Sequence, residues 1–489
     1  MPSLRSLCLA SLCALLVAGC GRDVAQQRTL KLSDCRLPHL STAAQCSALE
    51  VPEDRAKPDG RKITIFAALL PANTVTPKED PLLILAGGPG QAASTLAPFA
   101  SRLSELRRTR DVVLIDQRGT GRSSPLSCAA FKPREDDIFE TDPVPRAREC
   151  AAELKERGVD AAQYTTSAWI DDLEAMRVAL GYPRWNLWGG SYGTRVALEY
   201  LRRHPDRVRT LTLDGVASPG MIVTLDVWRT REAALDAIFK ACAATPSCRT
   251  AHPDVAATLS QIERTLGPTG REVDLIDPRT GVSEKVRITF DVVVGALQPL
   301  TYTPETAVLL PEMISLAARG DYGPLFAANP VMSGRESEQI NAALLFSVTC
   351  AEDVPRIRPG AEREALAGLP TKRLAEQTIA VCGVWPRGKA LPDMAQPVTS
   401  DKPALIFSGG MDPVTPPANG TEVAKGFANG KHIIAPGYGH IVSVHACGPR
   451  LIAAFVDEAR TDKLPATCVS HFEKSKPPPL WPNRLAPQP

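Results

Sequence analysis

The sequence predicts an α/β fold: a mostly parallel sheet with helices on both faces, and a large, mainly helical cap domain inserted before one of the last strands. Continuous apolar runs at residues 81–86 and Val112–Ile115 indicate strands that are buried on both faces. Such runs alternate with helical patterns up to about residue 217, as in a parallel sheet. Residues 218–402 then change to helical stretches broken by proline and glycine, a span too long for a loop.

These patterns divide the 489 residues into domains. Residues 35–217 and 403–473 form the core, and residues 218–402 form the cap. A hairpin opens the core, because extended runs flank the turn residues 58–60. A helix is expected at residues 166–180, with Thr166 or Ser167 as N-cap and Gly181 as terminator. The Pro-rich tail, residues 474–489, has little capacity to fold alone.

The composition is that of a soluble globular enzyme. Apolar residues make up 44% of the chain and charged residues 22%, and the formal net charge is +2. Acidic and basic residues are mixed along the sequence, so there is no basic stretch of the kind that binds nucleic acid. The sequence therefore predicts no nucleic-acid partner.

The N-terminus has the features of an export signal. Residues 1–19 combine Arg5, an apolar run and small residues near a cleavage point, and they are too short to span a membrane. Residues 16–20, Leu-Val-Ala-Gly-Cys, further resemble a bacterial lipobox, in which Cys20 is acylated and becomes the mature N-terminus. We expect a protein of the bacterial cell envelope that is held on a membrane through Cys20 alone, with residues 20–34 as a tether.

The cysteine count agrees with export. Of 13 cysteines, Cys8 and Cys13 leave with the signal and Cys20 is lipidated, so ten remain for five disulfides in an oxidising compartment. Proximity in sequence suggests the pairs Cys35–Cys46, Cys128–Cys150, Cys242–Cys248, Cys350–Cys382 and Cys447–Cys468. Connectivity stays open at this point, because sequence does not determine it. No metal site is predicted, since CxxC spacing is absent and the histidines are scattered.

A glycine–serine motif points to the chemistry. The segment Gly-Gly-Ser-Tyr-Gly, residues 189–193, follows an apolar stretch and precedes a helix-like run. Only glycine fits two residues either side of the serine in so tight a turn, which pushes the serine out into a pocket. A chance match is the alternative, and the strand–turn–helix context disfavours it. Ser191 is the predicted nucleophile of a serine hydrolase.

A serine hydroxyl needs a base, and the imidazole base needs a carboxylate to fix its tautomer. Asp412 and His440 each follow a late strand-like run and give the chain order Ser, Asp, His. Two alternatives stay open: Asp214, after the strand that follows the serine motif, as the acid, and His445 as the base. Asp412 is preferred because glycines and a proline shape its loop, and His440 because it lies on a loop.

The oxyanion hole requires backbone N–H donors close to the serine. The N–H of Tyr192, the residue after the nucleophile, supplies one. The other is expected from the Gly-Gly-Pro-Gly loop at residues 87–90, where Pro89 cannot donate. Gly88 is the preferred donor and Gly90 the second choice, while a simple tight turn is the structural alternative.

Five segments together resemble the prolyl iminopeptidase and tripeptidyl aminopeptidase family of α/β-hydrolases. They lie at residues 87–90, 116–119, 189–193, 409–416 and 437–440. The resemblance implies the α/β-hydrolase fold, no cofactor, and release of N-terminal residues or short peptides from a peptide substrate through an acyl-enzyme. It also implies that the Asp-Gln-Arg segment at 116–118 supports the active-site loops. One departure is Ala86, which replaces the family's usual histidine before the glycine-rich loop.

The resemblance also implies that the cap supplies carboxylates for the substrate's free α-amine. The segment Cys-Ala-Glu-Asp at 350–353 makes Glu352 the candidate, with Asp353 in reserve. A solvated acidic pair beside a structural cystine is the alternative. Two other functions stay open: a carboxylesterase that uses the same triad on small acyl esters, and a surface lipoprotein that uses the fold only for binding.

Overall fold

A computed structural model describes residues 28–132, 142–276, 281–328 and 340–478. Within these ranges the chain forms a nine-stranded sheet and a separate two-stranded hairpin. The predicted signal peptide, Cys20, most of the tether and residues 479–489 lie outside the described residues. The strands are β1 (Ser33–Cys35), β2 (Ala44–Pro52), β3 (Lys62–Leu70), β4 (Leu82–Leu85), β5 (Val112–Ile115), β6 (Trp185–Gly190), β7 (Val208–Asp214), β8 (Arg271–Ile276), β9 (Ser283–Ile288), β10 (Ala404–Gly409) and β11 (Gly430–Ala435).

The large sheet is parallel over its functional half. Its order is β1-β2-β3-β5-β4-β6-β7-β10-β11, and every pair from β5 to β11 is parallel. Strands β2 and β3 pair antiparallel, which confirms the predicted hairpin. Chain order reverses at β4, which lies between β5 and β6, and such a switch point opens a crevice outside the carboxyl ends of the strands. The loops after β4 and β6 therefore lie side by side.

Helices cover the sheet and fill the long connection between β7 and β10. They are α1 (Ala97–Arg102), α2 (Val144–Glu156), α3 (Thr166–Leu180), α4 (Tyr192–Arg203), α5 (Val223–Ala244), α6 (Pro246–Ala251), α7 (Val255–Leu266), α8 (Phe290–Leu297), α9 (Pro304–Ala307), α10 (Leu310–Ala318), α11 (Ala342–Glu352), α12 (Ala361–Ala365), α13 (Lys372–Ala380), α14 (Pro417–Ala424), α15 (Gly448–Glu458) and α16 (Ala466–Glu473). Helix α3 has the predicted bounds, but its N-cap is Thr165, one residue before the expected position, and Gly181 ends it at φ 75°.

The connection between β7 and β10 has a hydrophobic core of its own. Buried side chains from Leu235 to Phe326 form this cluster. Hairpin β8–β9 also lies here, so the mainly helical prediction missed a β element. Helix α11 differs from its neighbours, because its residues Leu344, Phe346 and Val348 belong to the core that packs against the large sheet. Helix α11 therefore packs as part of the α/β unit, although it lies within the predicted cap, residues 218–402.

Five disulfides join sequence-near segments. They are Cys35–Cys46, Cys128–Cys150, Cys242–Cys248, Cys350–Cys382 and Cys447–Cys468, the same pairs that proximity suggested. Such cross-links persist in oxidising compartments and restrict the unfolded chain. They indicate an exported protein. No helix in the described part of the chain has the length and apolar character needed to cross a membrane.

Candidate active site

Ser191 occupies a sharp turn between β6 and α4. Its backbone lies at φ 56° and ψ −124°, a conformation that L-residues rarely adopt, and its N–H donates to the Asp214 carbonyl at 2.9 Å. The flanking glycines are required by space: a β-carbon on Gly189 would lie 2.5 Å from the Gly193 carbonyl oxygen, and one on Gly193 would lie 2.2 Å from that of Leu85. The turn therefore holds Ser191 at the carboxyl end of β6.

The structure brings Asp412 and His440 together at the same sheet edge. His440 Nδ1 lies 2.8 Å from Asp412 Oδ2, and the Asp412 side chain is fully buried. The other Asp412 oxygen accepts the N–H groups of Val414 and Thr415, each at 2.8 Å. Asp412 Oδ2 accepts a hydrogen bond from His440 in the tautomer that carries its proton on Nδ1.

Two distances place His440 beside the turn that holds Ser191. A β-carbon on Gly215 would lie 3.0 Å from His440 Cε1, and Gly215 directly follows the residue that accepts the Ser191 N–H. The next residue, Ile441, comes within 3.4 Å of a β-carbon placed on Gly190. The imidazole and the serine therefore lie at one point of the sheet edge, where β6, β7, β10 and β11 end.

Asp214, the alternative acid, has a different environment. Its carboxylate accepts the N–H groups of Val442 at 2.9 and 3.0 Å and of Ser443 at 2.6 Å. Burial raises its pKa to about 6, although these bonds and the nearby His440 act in the opposite direction. Asp214 thus anchors the chain just after His440. The other alternative, His445, packs against Tyr438 in a tilted arrangement with ring centroids 5.8 Å apart.

The glycine-rich loop after β4 lies against Ser191. Register pairs Leu85 with Gly189, and a β-carbon on Gly87 would lie 3.1 Å from Ser191 Cβ. Gly88 has φ 104°, a backbone conformation that glycine adopts without strain. Tyr192 begins α4, so its N–H is one of the first-turn donors that have no partner within the helix. Both predicted oxyanion donors thus belong to segments next to Ser191.

Two family models match the segments that carry this site. Residues 80–269 match the model described as alpha/beta hydrolase fold, and residues 370–468 match the one described as TAP-like protein. The chain has the α/β-hydrolase fold. The first match contains the glycine-rich loop and Ser191, and the second contains Asp412 and His440.

Relatives of the chain are named as peptidases. A tripeptidyl aminopeptidase of Streptomyces lividans is 32% identical over 200 residues, 37% of this chain and 37% of its own length. Serine protease Hip1 of Mycobacterium tuberculosis is 29% identical over 234 residues, 42% of this chain and 45% of its own length. The match thus spans less than half of these relatives' length. A solved proline iminopeptidase of Mycobacterium smegmatis is 16% identical, with TM-score 0.41 over 84% of this chain and 98% of its own.

The two carboxylates predicted to bind a substrate amine are buried. Glu352, at the end of α11, is 1% exposed and accepts both the N–H and the hydroxyl of Thr166 at 2.7 Å. Asp353 is fully buried and accepts from Arg195 at 3.0 Å and Arg356 at 2.8 Å. A substrate amine would have to displace Thr166 to reach Glu352. Their role in amine binding stays a prediction.

Burial raises the pKa of Glu352 to about 7 from its ordinary value of 4.5. Because the folded protein then binds this proton more tightly than the unfolded chain, the stabilising effect is complete below about pH 4.5 and is lost as pH rises to 7. We predict that the unfolding free energy of wild type relative to Glu352→Gln falls by roughly 3 kcal/mol across this window. Urea unfolding of both proteins at pH 4.5, 6 and 8 measures this, and a pH-independent difference would contradict it.

Sequence reasoning missed several residues that shape the site. The Thr415 hydroxyl donates to Asp412 Oδ2 at 2.8 Å and lies 3.2 Å from His440 Nδ1. The backbone carbonyl of Tyr302 accepts the backbone N–H of His440 at 2.9 Å. The Tyr302 ring packs edge-on against the His440 imidazole. Thr415 could have been found, since a threonine three residues after an aspartate is a common turn partner. No local pattern identifies Tyr302, which lies in the connection between β7 and β10.

The Asp-Gln-Arg segment, residues 116–118, is buried. Arg118 forms a bidentate ion pair with Asp172 at 2.6 and 2.8 Å and donates to two backbone carbonyls. Asp116 accepts the N–H and hydroxyl of Ser94, just after the glycine-rich loop. These bonds tie the loop after β5 to its neighbours. Among the residues that the structure describes, no group of three or more His, Cys, Asp or Glu could hold a metal ion.

A cavity of about 540 Å³ lies next to the Asp412 loop. Helix α5 forms one wall, and the loop after β10 and the chain at Pro477 and Pro478 form the others. Its lining is mostly alanine and proline side chains, with Arg229 and Asp412 as the charged members. Ser191 and His440 do not line this cavity.

Proposed function

We propose that the chain is a serine aminopeptidase, which removes N-terminal residues or short peptides from oligopeptides through an acyl-enzyme. The observation that carries the proposal is the Asp412–His440 pair beside Gly215, at the sheet edge where the strained turn presents Ser191. The peptidase names of the relatives support the choice of a peptide substrate. Each residue then has a role that its chemistry allows.

In the acylation step, Ser191 Oγ attacks the scissile carbonyl carbon while its proton passes to His440 Nε2. Asp412 holds Nδ1–H and stabilises the imidazolium that results. The carbonyl oxygen becomes an oxyanion and accepts the N–H groups of Tyr192 and Gly88, each worth on the order of 3 kcal/mol. The intermediate collapses, the C–N bond breaks, and the leaving amine takes the proton from His440.

In the deacylation step, a water molecule replaces Ser191 as the attacking group. His440 removes a proton from the water, and the hydroxide attacks the ester carbonyl of the acyl-enzyme. The same backbone donors hold the second oxyanion. Ser191 Oγ leaves and regains its proton from His440, so the enzyme returns to its starting state without a cofactor. The cap, proposed at residues 218–402, bounds the space that the peptide enters.

A comparison of free and blocked peptides tests the aminopeptidase proposal. Acetylation removes the α-ammonium, so a site that recognises it with a carboxylate should lose about 10- to 100-fold in kcat/KM, as for other hydrogen bonds to charged groups. The measurement uses tripeptide arylamides with free and with acetylated termini, and p-nitrophenyl acetate as the amine-free control. Equal rates on the two peptides would reject an aminopeptidase, and efficient turnover of the ester alone would favour the carboxylesterase.

We further propose that the protein is exported to the bacterial cell envelope and anchored by acyl chains on Cys20. The lipobox-like residues 16–20 support the anchor, and the five disulfides support an oxidising compartment. We expect the full chain to incorporate an alkyne-tagged fatty acid in bacterial cells. Cys20→Ala should lose the label and Cys13→Ala, within the proposed signal, should keep it. Label on Cys20→Ala would contradict the anchor.

A further inference from the structure

The two residues that precede helix α11 contact the glycine-rich loop. Asn341, the N-cap of α11, donates its N–H to the Gly90 carbonyl at 2.9 Å. Ile340 forms a β-bridge with Gln91, and its Cδ1 lies 3.2 Å from a β-carbon placed on Gly88. These two residues therefore hold the segment that carries one predicted oxyanion donor.

The end of the same helix reaches the other donor through a buried chain of hydrogen bonds. Glu352 accepts the N–H and the hydroxyl of Thr166, and that hydroxyl oxygen lies 2.7 Å from the Tyr192 hydroxyl. The Thr166 hydroxyl has one hydrogen and donates it to Glu352 Oε2, so it accepts from the Tyr192 hydroxyl. Gln117 Nε2 donates to the Tyr192 hydroxyl at 3.4 Å. The Tyr192 side chain is thus fixed at its tip.

These groups lie in the rigid part of the molecule. Glu352, Thr166 and Tyr192 are each at most 2% exposed. Helix α11 packs into the core of the large sheet, and the Cys350–Cys382 disulfide ties its last turn to the chain after α13. A hydrogen-bonded chain in such a dry, packed place keeps its geometry, because any loosened member would leave an unsatisfied buried polar group.

We propose that Glu352 and Thr166 are positioning residues for the oxyanion hole. This inference rests on the proposed hydrolase function. Anchoring the Tyr192 ring fixes the peptide unit between Ser191 and Tyr192, whose N–H must point at the developing oxyanion. Small displacements of such donors are costly in the transition state and cost little in substrate binding. Glu352 therefore acts on kcat for every substrate of Ser191, with or without an amine.

The test compares Glu352→Gln, Thr166→Val and the conservative Thr166→Ser on three reactions. These are turnover of a free-amine tripeptide arylamide, turnover of p-nitrophenyl acetate, and labelling by a fluorophosphonate, which carries no amine. Glu364→Gln, an exposed glutamate on α12, is the matched control. We expect Glu352→Gln and Thr166→Val to lower kcat and the labelling rate by about 10- to 100-fold in all three reactions, with KM nearly unchanged. Thr166→Ser should stay near wild type.

Three results would overturn the inference. A loss confined to the free-amine peptide would assign Glu352 to the substrate's amine. Losses that parallel the fraction of folded protein in thermal unfolding, with no rescue in Thr166→Ser, would assign the network to stability alone. Unchanged rates in Glu352→Gln and Thr166→Val would show that neither residue positions the oxyanion hole. Failure of the proposed function is distinguishable, because wild type itself would then not react with the fluorophosphonate.

Discussion

Replacing Ser191 with alanine is expected to lower kcat for a tripeptide arylamide by roughly 10⁴- to 10⁶-fold, because the acyl-enzyme can no longer form. The melting temperature should stay close to that of wild type, since the Ser191 backbone is held by its N–H bond to the Asp214 carbonyl, which alanine keeps. Initial rates at saturating substrate and a thermal melt measure the two quantities. Ser260→Ala, at an exposed position on α7, is the control and should match wild type in both.

A Ser191→Ala enzyme that retains more than a few per cent of the activity would exclude an acyl-enzyme on this serine. An equally large loss in Ser260→Ala would point to a preparation defect. Ser191→Cys offers a further check, because a thiolate can attack where alanine cannot. Any activity that it recovers should be lost on treatment with a thiol-blocking reagent.

The second large effect separates the two candidate acids. Asp412→Asn is expected to lower kcat by roughly 10³- to 10⁴-fold with little change in melting temperature, because an amide neither fixes the His440 tautomer nor stabilises the imidazolium. Asp214→Asn should mainly lower stability, since its amide NH₂ group would face the N–H donors of Val442 and Ser443. Rates and melting temperatures of both variants, measured side by side, give the comparison.

The reverse pattern would assign the acid to Asp214. That pattern is a large loss of kcat in Asp214→Asn with unchanged stability, together with an active Asp412→Asn. The 2.8 Å contact between His440 Nδ1 and Asp412 Oδ2 predicts against it. Thr415→Val, which removes a donor to the same Asp412 oxygen, should reduce kcat by a smaller factor, roughly tenfold.

The parallel half of the fold follows from local patterns. The apolar runs of β4 and β5 predicted buried strands, and a glycine on either side of Ser191 predicted the turn, because the close approach of backbone there leaves no room for a β-carbon. Parallel strands end at one edge, so residues that follow them could be expected to lie close together. Helix α3 has the predicted bounds but starts from Thr165, a shift of one residue typical of helix ends.

Hairpin β8–β9 had a signal that the prediction overlooked. Val273 and Leu275 alternate with polar residues, and Val286 lies opposite Val273 on the partner strand. Period-two alternation of this kind indicates a half-buried strand. The surrounding proline- and glycine-broken segments predict a mainly helical region, and that prediction did not single out the hairpin.

The environment of Glu352 could not be predicted from the sequence. Its partner Thr166 lies 186 residues away along the chain, and only tertiary packing brings the two together. An acidic pair beside a cysteine is compatible with a solvated surface, a substrate site or a buried network. The burial of Glu352 and the positions of its hydrogen-bond donors decide between these three environments. Neither can be predicted from the spacing of neighbouring residues in the sequence.

Fluorophosphonate labelling of the wild-type protein, with the modified peptide identified by mass spectrometry, tests the proposed serine hydrolase most directly. The probe reacts only with a serine that an adjacent base activates, and it forms a stable covalent adduct. We predict one phosphonyl group per chain on the peptide that contains Ser191, and no label on Ser191→Ala. Folded wild-type protein that takes up no label, or that takes it up on another serine, would contradict the account.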